Sequence, residues 1–390
     1  MKQICALILV ISLFFCCTPP ICAAPSVSAH CAILIDAATS DVLFEKNADE
    51  TLAMASTTKI MTALVVLQHA DLSRVIAVPK QAVGIEGSSA YLYEGEKISV
   101  RDLVFALLLQ SANDAAVALA LHVSGNIEDF ASLMNQTATV LGLTDSSFQN
   151  PHGLPATNHY STARDLARLM QKALENEEFL AISGAKNYHT KQHENGTVHY
   201  FRNHNRLLFD DERCISGKTG YTKAAGRCLV SAAEENGARL ICVTLSAPDD
   251  WNDHKALYNH GFSQYETQVL YEKGDLFCDL RVVGSVDKSI RVENLSTVSA
   301  ALRTKDSVTV SYDLPHFVYA PIEGMDTLNS EAPSPPDAMC AGFALITQGE
   351  REIARVKLYY TTSVTEYVPP TIWERILQFF GWKKSESKNS

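Results

Sequence analysis

The chain has 390 residues, of which 46% are apolar and 20% charged, and it carries a formal charge of −11. It is too long for one ordinary domain and long enough for two, each with its own core, and nothing in its composition signals disorder. The acidic balance argues against nucleic acid as a partner. Phosphate binding needs clustered Lys and Arg, and no such run occurs before the extreme C-terminus.

Residues 1–24 read as an export signal. Lys2 supplies a short positive start, Ile4 to Cys17 form an apolar stretch, and Pro19-Pro20 end it ahead of Cys22, Ala23 and Ala24. That stretch is too short to span a bilayer. Leu13-Phe14-Phe15-Cys16 lacks the small residue expected before a lipid-modified cysteine, and the cut site stays open because Ala24-Pro25 is awkward to cleave. Four of the ten cysteines lie in this segment, which leaves Cys31, Cys214, Cys228, Cys242, Cys278 and Cys340. Export permits disulfides, but buried free thiols are the expectation. No close Cys or His pair has zinc-ligand spacing, so neither a metal nor a cofactor is expected.

His30 to Asp36 has the pattern of a buried strand, and a turn at Thr39-Ser40-Asp41 leads to a second strand at Val42–Glu45. From Ser56 the period becomes helical, through Ile60, Met61, Leu64, Val65 and Gln68. Further helices are predicted over Val100–Leu109, Asp114–Val123 and Ile127–Leu141, with Gly125 and Gly142 as stops. Thr162, three residues before Asp165, marks a helix start for Asp165–Glu175. Strands return near Tyr188. Arg227–Glu234 and Ala238–Ser246 flank Asn236-Gly237, a two-residue hairpin signal, and a helix over Asp253–Tyr265 closes the unit. This order predicts an α+β fold over residues 25–266, an antiparallel sheet covered by a helical group. Residues 267–368 alternate short β-prone runs such as Ser307–Tyr312 with turn residues such as Ala332-Pro333-Ser334-Pro335-Pro336, which predicts a small all-β domain.

Ser56-Thr57-Thr58-Lys59 places a hydroxyl and an amine about one turn apart on the same helix face. Serine becomes a nucleophile when a base takes its proton, and a lysine made neutral by burial or by another cation can do so. The spacing alone singles out nothing, since Ser183…Lys186, Ser285…Lys288 and Ser385…Lys388 share it. Only Ser56 opens a long apolar helix with partners downstream. Those partners are Ser111-Ala112-Asn113, in a break between helices, and Lys218-Thr219-Gly220, at the start of a predicted strand. A rival Ser124-Gly125-Asn126 needs no explanation beyond a glycine helix stop.

Together these motifs form the signature of penicillin-binding proteins and class A β-lactamases. Ala55–Leu64, Ser111–Ala115, Asn150-Pro151-His152-Gly153-Leu154 and Gly217–Thr222 with Ala225-Gly226 make the chain resemble the low-molecular-mass penicillin-binding proteins. These are serine-type D-Ala-D-Ala carboxypeptidases of peptidase family S11. The resemblance implies a β-lactamase/transpeptidase-like domain that removes the last D-alanine of peptidoglycan stem peptides, and β-lactam antibiotics would inhibit it by acylating the same serine. Ser56 would be the nucleophile and Lys59 the base, with Ser111 and Lys218 relaying the proton. Asn113 would orient the substrate amide, Thr219 with Lys218 would hold the terminal carboxylate, and Gly220 would let substrate approach the strand. The oxyanion hole would be the N–H groups of Ser56 and Tyr221. Members often carry an arginine between two asparagines upstream of the Lys-Thr-Gly triplet. Here the segment is Asn203-His204-Asn205-Arg206, with His204 expected to be structural and Arg206 a candidate second group for the carboxylate.

Residues 369–390 form a tail after Pro369-Pro370. Ile372, Trp373, Ile376, Leu377, Phe379 and Phe380 share one arc of a helix, opposite Glu374, Arg375 and Gln378. Twelve residues reach only about 18 Å, too short to cross a bilayer. The tail therefore reads as a helix lying in the membrane interface, helped by Trp382 and Lys383-Lys384. Its attachment would put the enzyme on the extracytoplasmic face of the cytoplasmic membrane. Three alternatives stay open: a D,D-endopeptidase cutting cross-links, a β-lactamase, and a non-catalytic cell-wall scaffold. The β-lactamase is disfavoured because Asn150–Ser161 offers no glutamate to activate water, and the scaffold because the motifs are intact.

Overall fold

The computed structural model describes residues 25–379 apart from 193, 195–196, 304–306, 328–334 and 350. The expected export signal, the Ala332-Pro333-Ser334 turn and the tail residues Phe380, Trp382, Lys383 and Lys384 lie outside the described residues. Two units divide the chain, one ending at Tyr265 and one beginning at Glu266.

The first unit opens with β1 (Cys31–Asp36) and β2 (Val42–Lys46). A 3-10 turn, Ala55–Thr58, leads into α1 (Lys59–His69), and β3 (Val75–Ala77) pairs with β4 (Lys97–Ser99). The helical middle is α2 (Val100–Leu108), α3 (Asn113–Ser124), α4 (Ile127–Val140), α5 (Ala163–Leu174) and α6 (Glu177–Ser183). A short hairpin, β5 (Asn187–His189) with β6 (Tyr200–Arg202), and the single turn α7 (Leu207–Asp210) come next. The unit closes with β7 (Cys214–Thr222), β8 (Gly226–Glu235), β9 (Ala238–Leu245) and α8 (Asp250–Phe262).

Five strands form one antiparallel sheet in the order β2-β1-β9-β8-β7. All six residues of β1 are buried, because the strand lies inside a sheet covered on both faces and so reads as an unbroken apolar run. Ile33, Ile35, Val230, Ala232 and Val243 join the helical core on one face. On the other face Gly261 of α8 sits so close to Leu34 and Leu240 that a Cβ would meet them at 2.7 and 2.6 Å. Asn236 and Gly237 both take positive φ, 52° and 85°, the geometry that suits a two-residue hairpin to twisted strands. The expected antiparallel sheet with its helical group is thus present.

Local differences from the sequence reading have physical reasons. α5 begins at Ala163, two residues before the expected Asp165, because Thr162 is the N-cap and its side chain accepts from the Asp165 N–H. α8 runs over Asp250–Phe262 rather than Asp253–Tyr265, with acidic Asp250 and Asp253 in its first turn, where the helix dipole favours them. The first eight residues of α1 are all buried, so the helix is a central core rod rather than an amphipathic surface helix.

In the second unit, β10 (Tyr265–Tyr271) pairs with β13 (Val298–Arg303). A six-stranded sheet, order β14-β16-β17-β12-β11-β15, is built from β11 (Phe277–Val283), β12 (Ser289–Glu293), β14 (Val308–Asp313), β15 (Phe317–Tyr319), β16 (Cys340–Gln348) and β17 (Arg351–Tyr360). Leu280, Ile290, Val292, Ile346 and Leu358 belong to its core. A last helix, α9, spans Ile372–Phe379.

Candidate functional site

The turn that carries Ser56 is unusual backbone. Ala55 has φ 47°, and the following residues form a 3-10 turn before α1, where a simple helix start was expected. Three side chains fix it. Thr57 Oγ1 donates to Met54 O at 2.7 Å and Thr58 Oγ1 to Ala55 O at 2.8 Å. His159 Nδ1 accepts from the Gln149 N–H, so Nε2 carries the proton and donates to Thr58 Oγ1 at 2.9 Å. Burial drops the His159 pKa to about 4, which keeps the ring neutral for this role.

Lys59, the first residue of α1, is fully buried, and among the described residues it has no ion-pair partner. Its Nζ lies 2.9 Å from Ser56 Oγ, 2.7 Å from Asn113 Oδ1 and 2.6 Å from the His152 carbonyl. Burial first, then the Lys218 charge, hold its pKa well below the usual lysine value, against a smaller opposing pull from Asp114. A neutral amine has two N–H donors and one lone pair. Asn113 Oδ1 and His152 O can only accept, so they take both donors and the lone pair is left for the Ser56 hydroxyl. This is the arrangement a serine needs to lose its proton.

The Asn150–Leu154 turn builds that carbonyl. Asn150 Oδ1 accepts from the N–H groups of His152 and Gly153, and its Nδ2 donates to Leu154 O. Thr62 of α1 donates to Pro151 O at 2.6 Å. Gly153 has φ 89°, and a Cβ there would lie 2.0 Å from Ala55 O, so only glycine lets this turn close beneath the serine. Sequence reasoning found the segment only as part of a resemblance, because what it contributes is a main-chain oxygen.

Ser111 occupies the break between α2 and α3, as expected, with the left-handed φ of 59° that a serine seldom adopts. Asn113 opens α3. Its N–H donates to Ser88 O at 2.7 Å and its Nδ2 to Glu86 O at 2.5 Å, while Oδ1 serves Lys59. Each end of the amide thus makes one hydrogen bond, which fixes the side chain and leaves one N–H and one lone pair. That geometry sets Asn113 against Lys59.

The Lys218-Thr219-Gly220 triplet sits in the middle of β7 rather than at its start, because Cys214 to Gly217 already pair with β8. β7 is an edge strand. Gly220 packs against the Ser56 turn so closely that a Cβ would lie 3.0 Å from both Met54 O and Ser56 N. Lys218 pairs across with Val230, a residue of the helical core, so it points inward, while Thr219 and Tyr221 project from the opposite face. Lys218 is 1% exposed and donates to Thr219 O, and burial brings its pKa down to about 7.

A cleft of about 300 Å³ opens over these groups, lined by Ser56, Ser88, Ser111, His204, Thr219, Gly220, Tyr221, Arg227, Asp250 and Trp251. Lys218, almost fully buried, is not among the residues that line it. Arg206 is also elsewhere, exposed and bonded to Asp210. His204 does line the cleft, and its N–H donates to Leu109 O at 3.1 Å. Asn203 and Asn205 hold the loop beside it, and burial and the Lys218 charge lower its pKa. Arg227, Asp250 and Trp251 carried no sequence signal, because β8 and α8 bring them to the cleft from outside any motif.

The rival motifs have other uses. Ser183 shares a buried hydrogen bond with Ser216, Ser285 Oγ accepts from the Asp287 N–H in a turn, and Ser385 lies outside the described residues. Gly125 is a left-handed helix cap, and Asn126 caps the next helix. Cys31, Cys214, Cys228 and Cys242 are buried free thiols, and Cys278 and Cys340 are half-buried and free. Among the described residues, His30, Cys31 and Glu50 bring ligand atoms within 4.8 Å of one another. None of them lines the cleft, and burial pushes the Cys31 thiol up to about 11, which disfavours the thiolate a metal requires.

Residues 19–249 match the Peptidase S11 family, D-alanyl-D-alanine carboxypeptidase. The chain is 41% identical over 278 residues to the D-alanyl-D-alanine carboxypeptidase DacC of Escherichia coli, covering 66% of this chain and 67% of that one. It is 32% identical over 303 residues to DacF of Bacillus subtilis, covering 72% of this chain and 77% of that one. Among solved structures, penicillin binding protein 5 from Haemophilus influenzae is similar over 90% of this chain and 99% of its own, with 27% identity and a TM-score of 0.59. The buried lysine beside a serine, the cleft above them and these matches lead to one conclusion: the chain belongs to the Peptidase S11 family of D-alanyl-D-alanine carboxypeptidases.

Proposed function

We propose that this protein is a serine-type D-Ala-D-Ala carboxypeptidase that removes the last D-alanine of peptidoglycan stem pentapeptides through an acyl-enzyme on Ser56. The observation that carries this reading is the buried Lys59 amine, without an ion-pair partner among the described residues and 2.9 Å from Ser56 Oγ, with both N–H donors taken by obligate acceptors.

In the first step Lys59 accepts the Ser56 proton as Oγ attacks the carbonyl between the two D-alanines. The N–H groups of Ser56 and Tyr221 receive the developing oxyanion, and one such donor is typically worth about 3–4 kcal/mol in the transition state. Lys218, with a pKa of about 7, and the Ser111 hydroxyl carry a proton to the departing amine. Thr219 offers its hydroxyl to the terminal carboxylate. Water then releases the shortened peptide. β-Lactams enter the same cleft, acylate the same serine and leave slowly.

Labelled penicillin tests the nucleophile: wild type should be labelled and Ser56→Ala should not, and equal labelling would refute it. Incubation with a stem pentapeptide and with a cross-linked dimer, scored by mass, should show loss of one D-alanine from the first and an intact second. Cleavage of the dimer alone would make the enzyme an endopeptidase.

The tail is the proposed membrane contact, on the extracytoplasmic face to which the expected export signal would deliver the enzyme. Thr371 and Glu374 form a reciprocal cap at the start of α9, and Ile372 and Phe379 are 81% and 85% exposed. Among the described residues no helix is long and apolar enough to cross a membrane, so the contact would be interfacial. Flotation with anionic vesicles should retain the full chain and lose a form lacking residues 369–390; equal flotation would refute the anchor.

A further inference from the structure

With Lys218 beneath the surface and Arg206 elsewhere, the cleft needs another cation to complement a substrate that ends in a carboxylate. Arg227 is the arginine in its lining. It stands directly across from Tyr221 in the β7–β8 pairing, so it projects from the same sheet face as Tyr221 and Thr219. Its Nε and Nη2 both donate to Asp250 Oδ1, at 3.0 and 2.7 Å, and the Trp251 N–H donates to that same oxygen at 3.0 Å. The Trp251 ring lies 5.5 Å from the guanidinium carbon and helps to fix the plane. One edge of the fork is thus anchored to an almost fully buried carboxylate. Nη1 and the second Nη2 hydrogen make no hydrogen bond among the described residues. A planar fork with one edge held and one edge free is pre-organised for a second carboxylate.

We propose that Arg227 binds the free carboxylate of the substrate's last residue, with Asp250 and Trp251 as its positioning residues. The inference rests on the carboxypeptidase reading above. It makes Arg227, a residue outside every motif, the group that selects substrates carrying a negative charge at this point.

The test compares two N-acyl-D-alanyl thioesters, one with thioglycolate as leaving group and one with the neutral thioglycolamide, by release of thiol. Wild type should prefer the thioglycolate. In Arg227→Gln the ratio of the two kcat/KM values should fall about tenfold to a hundredfold, the worth of a charge-assisted pair, and Arg227→Lys should lie between. An unchanged ratio in Arg227→Gln would overturn the proposal. So would a wild-type ratio near one, which needs no folded variant. Wild type inert to both thioesters, or Ser56→Ala as active as wild type, would instead sink the acyl-enzyme reading itself.

Discussion

Replacing Asn113 by aspartate turns the acceptor of a Lys59 hydrogen bond into a charge while barely altering its shape. Oδ1 lies 2.7 Å from Nζ; at an effective dielectric of about 20, a full negative charge there favours protonated Lys59 by about 6 kcal/mol. The base would then be charged near neutral pH, since the neighbouring Lys218 offsets only part of that energy. Each 1.4 kcal/mol is about tenfold in rate, so acylation of Ser56 should fall at least about a thousandfold near pH 7. It should recover about tenfold per pH unit as the medium becomes alkaline and the amine loses its proton. Asn113→Ala adds no charge and should lose only about tenfold, the worth of a missing neutral acceptor. The assay is the second-order rate of labelling by a penicillin from about pH 6 to about pH 10, with the melting temperature of each variant as a control. Asn113→Asp labelled at the wild-type rate, or slowed with no alkaline recovery, would refute the neutral-lysine reasoning.

Lys218→Met removes the charge that helps to keep Lys59 neutral, so the Lys59 pKa rises. The acidic limb of the acylation profile should then move up by about one pH unit, and an unmoved limb would break the link between the two lysines. Gly153→Ala forces a Cβ to within 2.0 Å of Ala55 O at a positive φ. It should cost about 3 kcal/mol or more and lower Tm by about 6 °C or more, with loss of penicillin labelling; a wild-type Tm would contradict the close approach. Buried His254 bonds Ser231 and Thr244 through its two ring nitrogens, and burial lowers its pKa from 6.5 to about 3. The unfolded chain therefore binds the extra proton in that window, so the stabilisation is complete above 6.5 and is lost as the pH falls towards about 3. In His254→Gln the stability slope over that range should be shallower by about 1.4 kcal/mol per pH unit, measured by urea unfolding; an identical slope would exclude His254 as a source.

The sequence by itself determined the sheet-and-helix order and the Asn236-Gly237 hairpin, because periodicity and turn chemistry are local. It also offered Ser56, Lys59, Ser111 and the Lys-Thr-Gly triplet as candidates, because the chemistry demands particular side chains in a particular order. Only the tertiary structure decided which Ser-x-x-Lys pair has a buried amine, since burial and the Lys218 charge come from distant strands and helices. It set Asn113 against Lys59, and it brought His204 rather than Arg206 into the cleft. The His152 carbonyl has no side-chain signature at all. Arg227 sits beside Tyr221 only through strand register, and beside Asp250 only because α8 packs against that sheet face. Spacing along the chain fixes what one helix or one turn can do; which charges meet across a cleft depends on how separate elements pack.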